Sequence, residues 1–210
     1  MKTIDLSHTI SAGMPVYPGT EPPVITSPCT LEEHGFIEKK LVFYSHTGTH
    51  IDAPAHILPH GPTLDQMPAG SFIGRGFVID LTSIEEDKID ISHLESYREL
   101  FKGSDFVLLH TGWDRFWGSE KYFRGFPVLT EDAAVWIRGF GLKGVGVDMI
   151  SVDDTDAETL VIHRVLLERS ILIENLTNLG KLPETGFTFS CFPLKLENAD
   201  GSPVRAAAFF

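Results

Sequence analysis

His46-Thr47-Gly48-Thr49-His50-Ile51-Asp52-Ala53-Pro54-Ala55-His56 packs four side chains able to ligate a metal into one short run of a chain of 210 residues. Imidazole and carboxylate are the donors that zinc and related divalent cations take most readily. As a single extended strand the run would set His46 and His50 about 13 Å apart, at roughly 3.3 Å per residue. That exceeds the reach of two nitrogens each about 2.1 Å from one ion. As a single helix, His46 and His50 share a face, but Asp52 falls on the far side of the cylinder. The chain must therefore bend inside the motif. The expectation is a strand ending near His46, a break at Gly48 where a positive φ costs least, a turn that swings Asp52 back, and Pro54 stiffening the exit.

Outward from the motif, residues 36–45 form a strand candidate that delivers the chain into it, and residues 3–6, 76–81 and 106–110 read as further short apolar strands. The Pro/Gly-rich arm of residues 13–23 carries Met14, Val16 and Tyr17 with little helix or strand tendency, which suggests a subunit contact. Ser92 with Glu95 reads as a capping box for a helix running to about Lys102 and stopping at Gly103. Thr130 caps a second helix, with Glu131 and Asp132 at the positive end of its dipole. A third helix spans residues 157–169 on a broad apolar face. Residues 145–148, 171–176, 187–192 and 206–209 complete a strand-rich second half. No repeat, linker or low-complexity segment interrupts the chain. The pattern predicts one domain over residues 1–210, of α/β class, with a mixed, curled β-sheet or barrel-like core flanked by helices.

Composition narrows the partners. Hydrophobic residues make up 42% and charged residues 22% of the chain, which is ordinary for a globular protein. A formal net charge of −12, with 17 scattered basic residues, opposes binding to nucleic acid or an anionic membrane, since either needs a cationic surface. Cys29 and Cys191 match no metal or redox spacing and read as free thiols. MKTIDLSHTI lacks the apolar stretch of a signal peptide, and no apolar run approaches about 18 residues. The expected location is the cytoplasm.

Three ligands leave a cation under-coordinated, and His163 and Glu174 are the candidates to complete the set. Glu174 lies in ILIENL, an apolar strand where an unpaired carboxylate is costly to bury, so it needs a partner. His163 falls on the third helix, a short turn away. His56, four residues past Asp52 and behind Pro54, lies near the metal without being required as a ligand. Its imidazole titrates close to neutral pH and can pass a proton either way, which makes it the catalytic candidate. His8 and His110 at strand ends read as structural; His34, His60 and His93 read as surface residues. Asp148, Asp153 and Asp154 are expected to satisfy loop backbone groups. Tyr17, Phe36, Trp113 and Trp117 supply ring surface for a planar aromatic substrate; core packing is the other reading for both tryptophans.

The motif resembles the signature of the cyclase family of metal-dependent hydrolases, H-x-G-T-H-x-D-x-P-x-H, with every fixed position filled. The likeness extends to IDLSHTI and PVYPG near the start, LLHTGWDRFW, GVGVDMISVD and HRVLLERSILIENL in the body, and GSPVRAAAF at the end. It implies a β-barrel-like core flanked by helices, of the family's swivelling β/β/α type, and a homo-oligomer, dimer or tetramer. It also implies one or two divalent ions, with Asp52 bridging where there are two. Zinc suits the ligands and manganese is admitted by their oxygen content. The family includes bacterial kynurenine formamidases and isatin hydrolase. The reaction implied is hydrolysis of a small aryl formamide such as N-formylkynurenine, with a cyclic amide or a lactone as alternatives. A metal-dependent binding protein without catalysis is the competing class. Formamidase members carry a Trp where Tyr17 stands here. A structural zinc site is disfavoured, because such sites usually close four ligands with cysteine and the motif has none.

Overall fold

The computed structural model describes residues 1–210. Its strands are β1 (Thr3–Asp5), β2 (Val24–Cys29), β3 (Glu38–Val42), β4 (His50–Asp52), β5 (Ile73–Asp80), β6 (Lys88–Ile89), β7 (Phe106–His110), β8 (Val128–Leu129), β9 (Gly144–Val147), β10 (Ile171–Glu174), β11 (Phe187–Ser190), β12 (Gly201–Pro203) and β13 (Ala207–Phe209). The helices are α1 (Leu31–His34), α2 (Ile91–Leu94), α3 (Arg98–Gly103), α4 (Glu131–Arg138) and α5 (Val161–Leu167), with several single 3₁₀ turns between elements. Nine strands form one mixed sheet in the order β1-β13-β11-β5-β7-β9-β10-β4-β12. Its centre, β5 to β10, is parallel, and both flanks are antiparallel.

The sheet curls back on itself. Past β1, Leu6 and Ser7 reach the chain leaving β10, through a Ser7–Leu176 bridge and a bond from the Thr177 amide to the Leu6 carbonyl. In sheet order those two strands are far apart, so this contact requires a barrel-like closure.

The central strands are apolar on both faces, as parallel strands covered on both sides must be. In β7, Phe106 and Leu108 pack into the core enclosed by the curl, while Val107 and Leu109 face the helices. The same alternation puts Ile171 and Ile173 of β10 inside and Leu172 outside. The outer layer is held by α4 and α5, whose Ala133, Ala134, Ile137, Leu166 and Leu167 are buried. Thr130 caps α4 as its sequence predicts, accepting from the Ala133 amide at 3.2 Å, a bond worth about 1 kcal/mol.

Several expectations are corrected. The helix predicted from Ser92 is capped instead by Asp90, which accepts from the Ser92 amide while the His93 ring reaches back to the Asp90 amide. A 3₁₀ turn, Glu95–Tyr97, then separates α2 from α3. The helix predicted from residue 157 begins only at Val161, because the first amides it exposes are taken by the Asp153 carboxylate, at Ile162 and His163. The strand predicted over 36–45 is β3, shorter, and it pairs with β2 in a hairpin outside the main sheet. Within the 13–23 arm, Met14 is buried against Gly48 and Val16 and Tyr17 reach the cavity described below, while residues 17–22 are exposed. No helix is long and apolar enough to cross a membrane.

Candidate active site

The motif bends at the residue predicted, but the other way round. Gly48 has φ +67, the left-handed region that favours glycine. The strand lies after this break: His50 and Asp52, two residues apart on β4, project from one face. It is His46 that folds back, its ring 5.1 Å from that of His50 and its Nδ1 2.6 Å from Asp52 Oδ1. Pro54 opens a 3₁₀ turn that ends at His56.

Register supplies the remaining groups. On β10, Glu174 stands directly across from His50 in the antiparallel ladder, and the two side chains meet at 3.5 Å. His163, on the inner side of α5, points Nε2 at Glu174 Oε1 (3.4 Å) and Asp52 Oδ2 (3.6 Å). Its Nδ1 lies 2.7 Å from Asp153, whose carboxylate also takes two amides of α5. That carboxylate therefore fixes the ring, the arrangement by which carboxylate partners orient metal-binding histidines. Asp148 accepts from the Thr111 and Gly112 amides, as its loop reading predicts. On the other flank, β12 pairs with β4, and Gly201 faces Asp52. A Cβ on Gly201 would lie 2.5 Å from the His46 ring, so the close approach requires glycine.

Asp200, one residue earlier, is the participant that sequence reasoning missed. Its Oδ2 is 3.0 Å from His46 Nε2 and 3.4 Å from His56 Nδ1. Nothing local marks it; its only sequence signal is its place before the GSPVR segment, and the β4–β12 pairing brings it home through a bond from the Ala53 amide to its carbonyl.

Three groups of three residues, His46/His50/Asp52, Asp52/His163/Glu174 and the less buried His46/His56/Asp200, each converge within 4.8 Å, and the first two share Asp52. Asp52 Oδ2 is buried with no hydrogen-bond partner. Buried polar atoms rarely go unpaired, and a carboxylate shared by two groups is where a cation would satisfy it. The donor set and this orphaned oxygen fit a divalent metal.

The electrostatics agree. Burial works against a charged His163, but the carboxylates of Asp153, Asp52 and Glu174 prevail and raise its pKa to about 12. For His46, burial is likewise overcome, by Asp52 and Asp200, giving about 9. Burial lowers His56, with Asp52 and Asp200 only partly opposing it. Because a histidine must be neutral to ligate, metal and proton compete. Zinc affinity, followed by chelator competition, is therefore expected to rise between pH 7 and 9 by about one decade per pH unit for each proton displaced. The stability of the metal-free protein moves the other way. The contribution of His46 is complete below its unfolded value of 6.5 and is lost as the pH climbs through about 9.

These residues floor a cavity of about 420 Å³, walled by Val16, Tyr17, Tyr44, Ile150 and Leu160, with His56 and Asp200 on its lining. Of the predicted substrate contacts, Tyr17 is present. Phe36 is not: it lies in the β2–β3 connection, 52% exposed, because the hairpin stands away from the pocket. Trp113 is not either; it is buried in the outer core with its Nε1 donating to the Tyr122 carbonyl. Trp117 stacks on His8, ring centroids 3.8 Å apart, which accounts for both side chains structurally. His110 lies beside Asp80 and outside the cavity.

A curled α/β sheet that lines a pocket with His and carboxylate ligands is the arrangement of a metal-dependent hydrolase. The Cyclase family model matches residues 4–154. The chain is 31% identical over 205 residues to the kynurenine formamidase of Bacillus cytotoxicus, covering 97% of this chain and 95% of that one. Among solved structures it superposes on isatin hydrolase A from Ralstonia solanacearum with TM-score 0.84 and 26% identity, over 99% and 91% of the two chains. It also matches a potential metal-dependent hydrolase with cyclase activity, with TM-score 0.81 and 31% identity over 99% and 96%. The chain belongs to the cyclase family of metal-dependent hydrolases.

Proposed function

We propose that this protein hydrolyses a small amide with a metal-assisted water, and that an aryl formamide of the N-formylkynurenine type is its substrate. The observation that carries the reading is the meeting of His46, His50, Asp52, His163 and Glu174 around one unpartnered carboxylate oxygen, with His56 beside them on the same cavity. His46, His50 and Asp52 would hold one ion, and His163 and Glu174 with Asp52 a second. When bound, a divalent cation supplies Lewis acidity, lowering the pKa of water toward about 7 and polarising a carbonyl. Zinc is the ion favoured by three imidazoles, and manganese is accommodated by the carboxylates.

The chain's own groups do the rest. Asp200 accepts a hydrogen bond from His56 Nδ1–H, which leaves Nε2 as the nitrogen that exchanges protons with water and with the leaving amine. Burial keeps His56 neutral near pH 7, so it can act as a base first and as an acid afterwards. Tyr17 and Tyr44 supply ring surface at the mouth, and Ile150 and Leu160 an apolar wall, suited to a flat aromatic leaving group. The likeness to isatin hydrolase A supports a cyclic amide as the second candidate substrate. All 210 residues form one catalytic unit in this reading, placed in the cytoplasm. The unit is a homo-oligomer, supported by the exposed Val24, Phe36, Ile37, Leu41 and Val42 of the β2–β3 hairpin, since an isolated two-stranded hairpin is only marginally stable in water.

The test is turnover of N-formylkynurenine and of isatin by protein stripped of metal and then reloaded with zinc or manganese. Restored formamide cleavage is the expected result. Restored isatin cleavage alone would redirect the substrate to cyclic amides, and tight metal binding without turnover of any amide or lactone would leave a binding protein.

A further inference from the structure

Behind the His50 ring lies a buried polar chain that the hydrolytic steps do not use. His50 Nδ1 is 2.8 Å from the Gly48 carbonyl oxygen. A carbonyl only accepts, so Nδ1 carries a proton, and Nε2, which faces Asp52 and Glu174, is the nitrogen available to a cation. The same carbonyl accepts from Asn175 Nδ2 at 2.9 Å. The Gly48 carbonyl, which only accepts, fixes Nδ2 on its side of the amide, and Oδ1 is thereby left to accept from the Tyr122 hydroxyl at 2.7 Å.

Each member is itself fixed. Asn175 directly follows Glu174 and has φ 57, a left-handed conformation that asparagine tolerates better than most residues. Its carbonyl takes the Thr49 hydroxyl at 2.6 Å and its amide donates to the Met149 carbonyl. Tyr122 is fully buried, and burial together with the nearby carboxylates Asp148, Glu174 and Asp114 raises its hydroxyl well above the usual range, so it remains a donor. A buried hydroxyl and amide cost free energy unless both are paired, and here each is.

We propose that Tyr122 and Asn175 are positioning residues of the metal centre: the hydroxyl locks the amide, the amide holds the Gly48 carbonyl, and that carbonyl selects the His50 tautomer that presents Nε2 to a cation. The inference rests on His50 being a ligand. It connects the 120–123 turn to the motif through three hydrogen bonds.

The test uses Tyr122→Phe, which removes only the hydroxyl, and Asn175→Asp, which keeps an acceptor for Tyr122 and the tolerance for a left-handed backbone but cannot donate to Gly48. Three quantities are read: zinc affinity by chelator competition, melting of the metal-free protein, and the His50 tautomer from ring ¹⁵N shifts in metal-free protein. A positioning role lowers zinc affinity about 10–100-fold in variants whose metal-free melting stays cooperative, and shifts His50 away from the pure Nδ1–H form. Affinity within twofold of the parent and an unchanged tautomer, in either variant that folds, would overturn the proposal. If the parent binds no zinc, the functional reading fails, while the tautomer measurement still decides whether the clamp exists. Should Tyr122→Phe not fold, Asn175→Asp decides alone.

Discussion

His56→Ala is expected to cut amide hydrolysis by about 10²–10⁴-fold, the usual contribution of a placed acid–base group, while bound metal stays at the parent level. The reasoning is geometric first. His56 ends the 3₁₀ turn that Pro54 opens and sits on the cavity lining with its ring centroid 6.1 Å from that of His163. Yet it belongs to neither of the two groups centred on Asp52. Its Nδ1 faces Asp200, and neutralising that carboxylate in Asp200→Asn should produce a smaller loss in kcat with the substrate KM little changed, because the ring loses its orientation and not its presence. Metal analysis beside steady-state kinetics checks both. An His56→Ala protein that has lost its metal would move His56 into the ligand set, where its proximity to His46 and Asp200 would place it.

Asp52→Asn is expected to be more severe, removing metal binding and bringing activity to background. Asp52 is the one residue common to both ligand groups, and it is 1% exposed. Burial alone would raise its pKa, but His50, His163 and His46 surround it and hold the carboxyl well below 3.8. An amide presents one acceptor where two are needed and leaves the histidines without their counter-charge. Removing one partner of such a buried pair costs roughly 3–5 kcal/mol. Two melting experiments separate the effects. In the parent, zinc at about 1,000 times its Kd adds about 4 kcal/mol of stability, and that shift should vanish in the variant. In the metal-free parent, the contribution of Asp52 is present above its unfolded value of 3.8 and is lost as the pH falls through its lower folded value. The variant's stability should therefore vary less with pH on the acid side. A zinc-induced shift retained in Asp52→Asn would remove Asp52 from the centre of the site.

The legible part of this protein is the part with local causes. Ligand spacing, the positive φ at Gly48 and the stop at Pro54 are set within a few bonds, and the HTGTHIDAPAH run shows them directly. Short continuous apolar runs showed β7 and β10, and Thr130 announced α4, because buried strands and caps obey short-range rules. The direction of the motif's bend was not local: β4 is a strand because β10 and β12 pair with it on either side. The start of α5 was lost for a similar reason, since its cap comes from Asp153, nine and ten residues before the amides it receives.

Composition and spacing alone determined that residues 46–56 hold a candidate metal-ligand set, that Glu174 needs a partner, and that the core is built of short apolar strands. Tertiary structure alone decided which groups meet. Glu174 faces His50 through strand register, and Asp200 reaches His56 across 144 positions of sequence. Phe36 and Trp113 are drawn away, one onto an exposed hairpin and the other into the outer core. A residue's chemistry travels with its side chain, whereas its neighbours are set by sheet register and helix packing, which depend on contacts between segments that are remote in sequence.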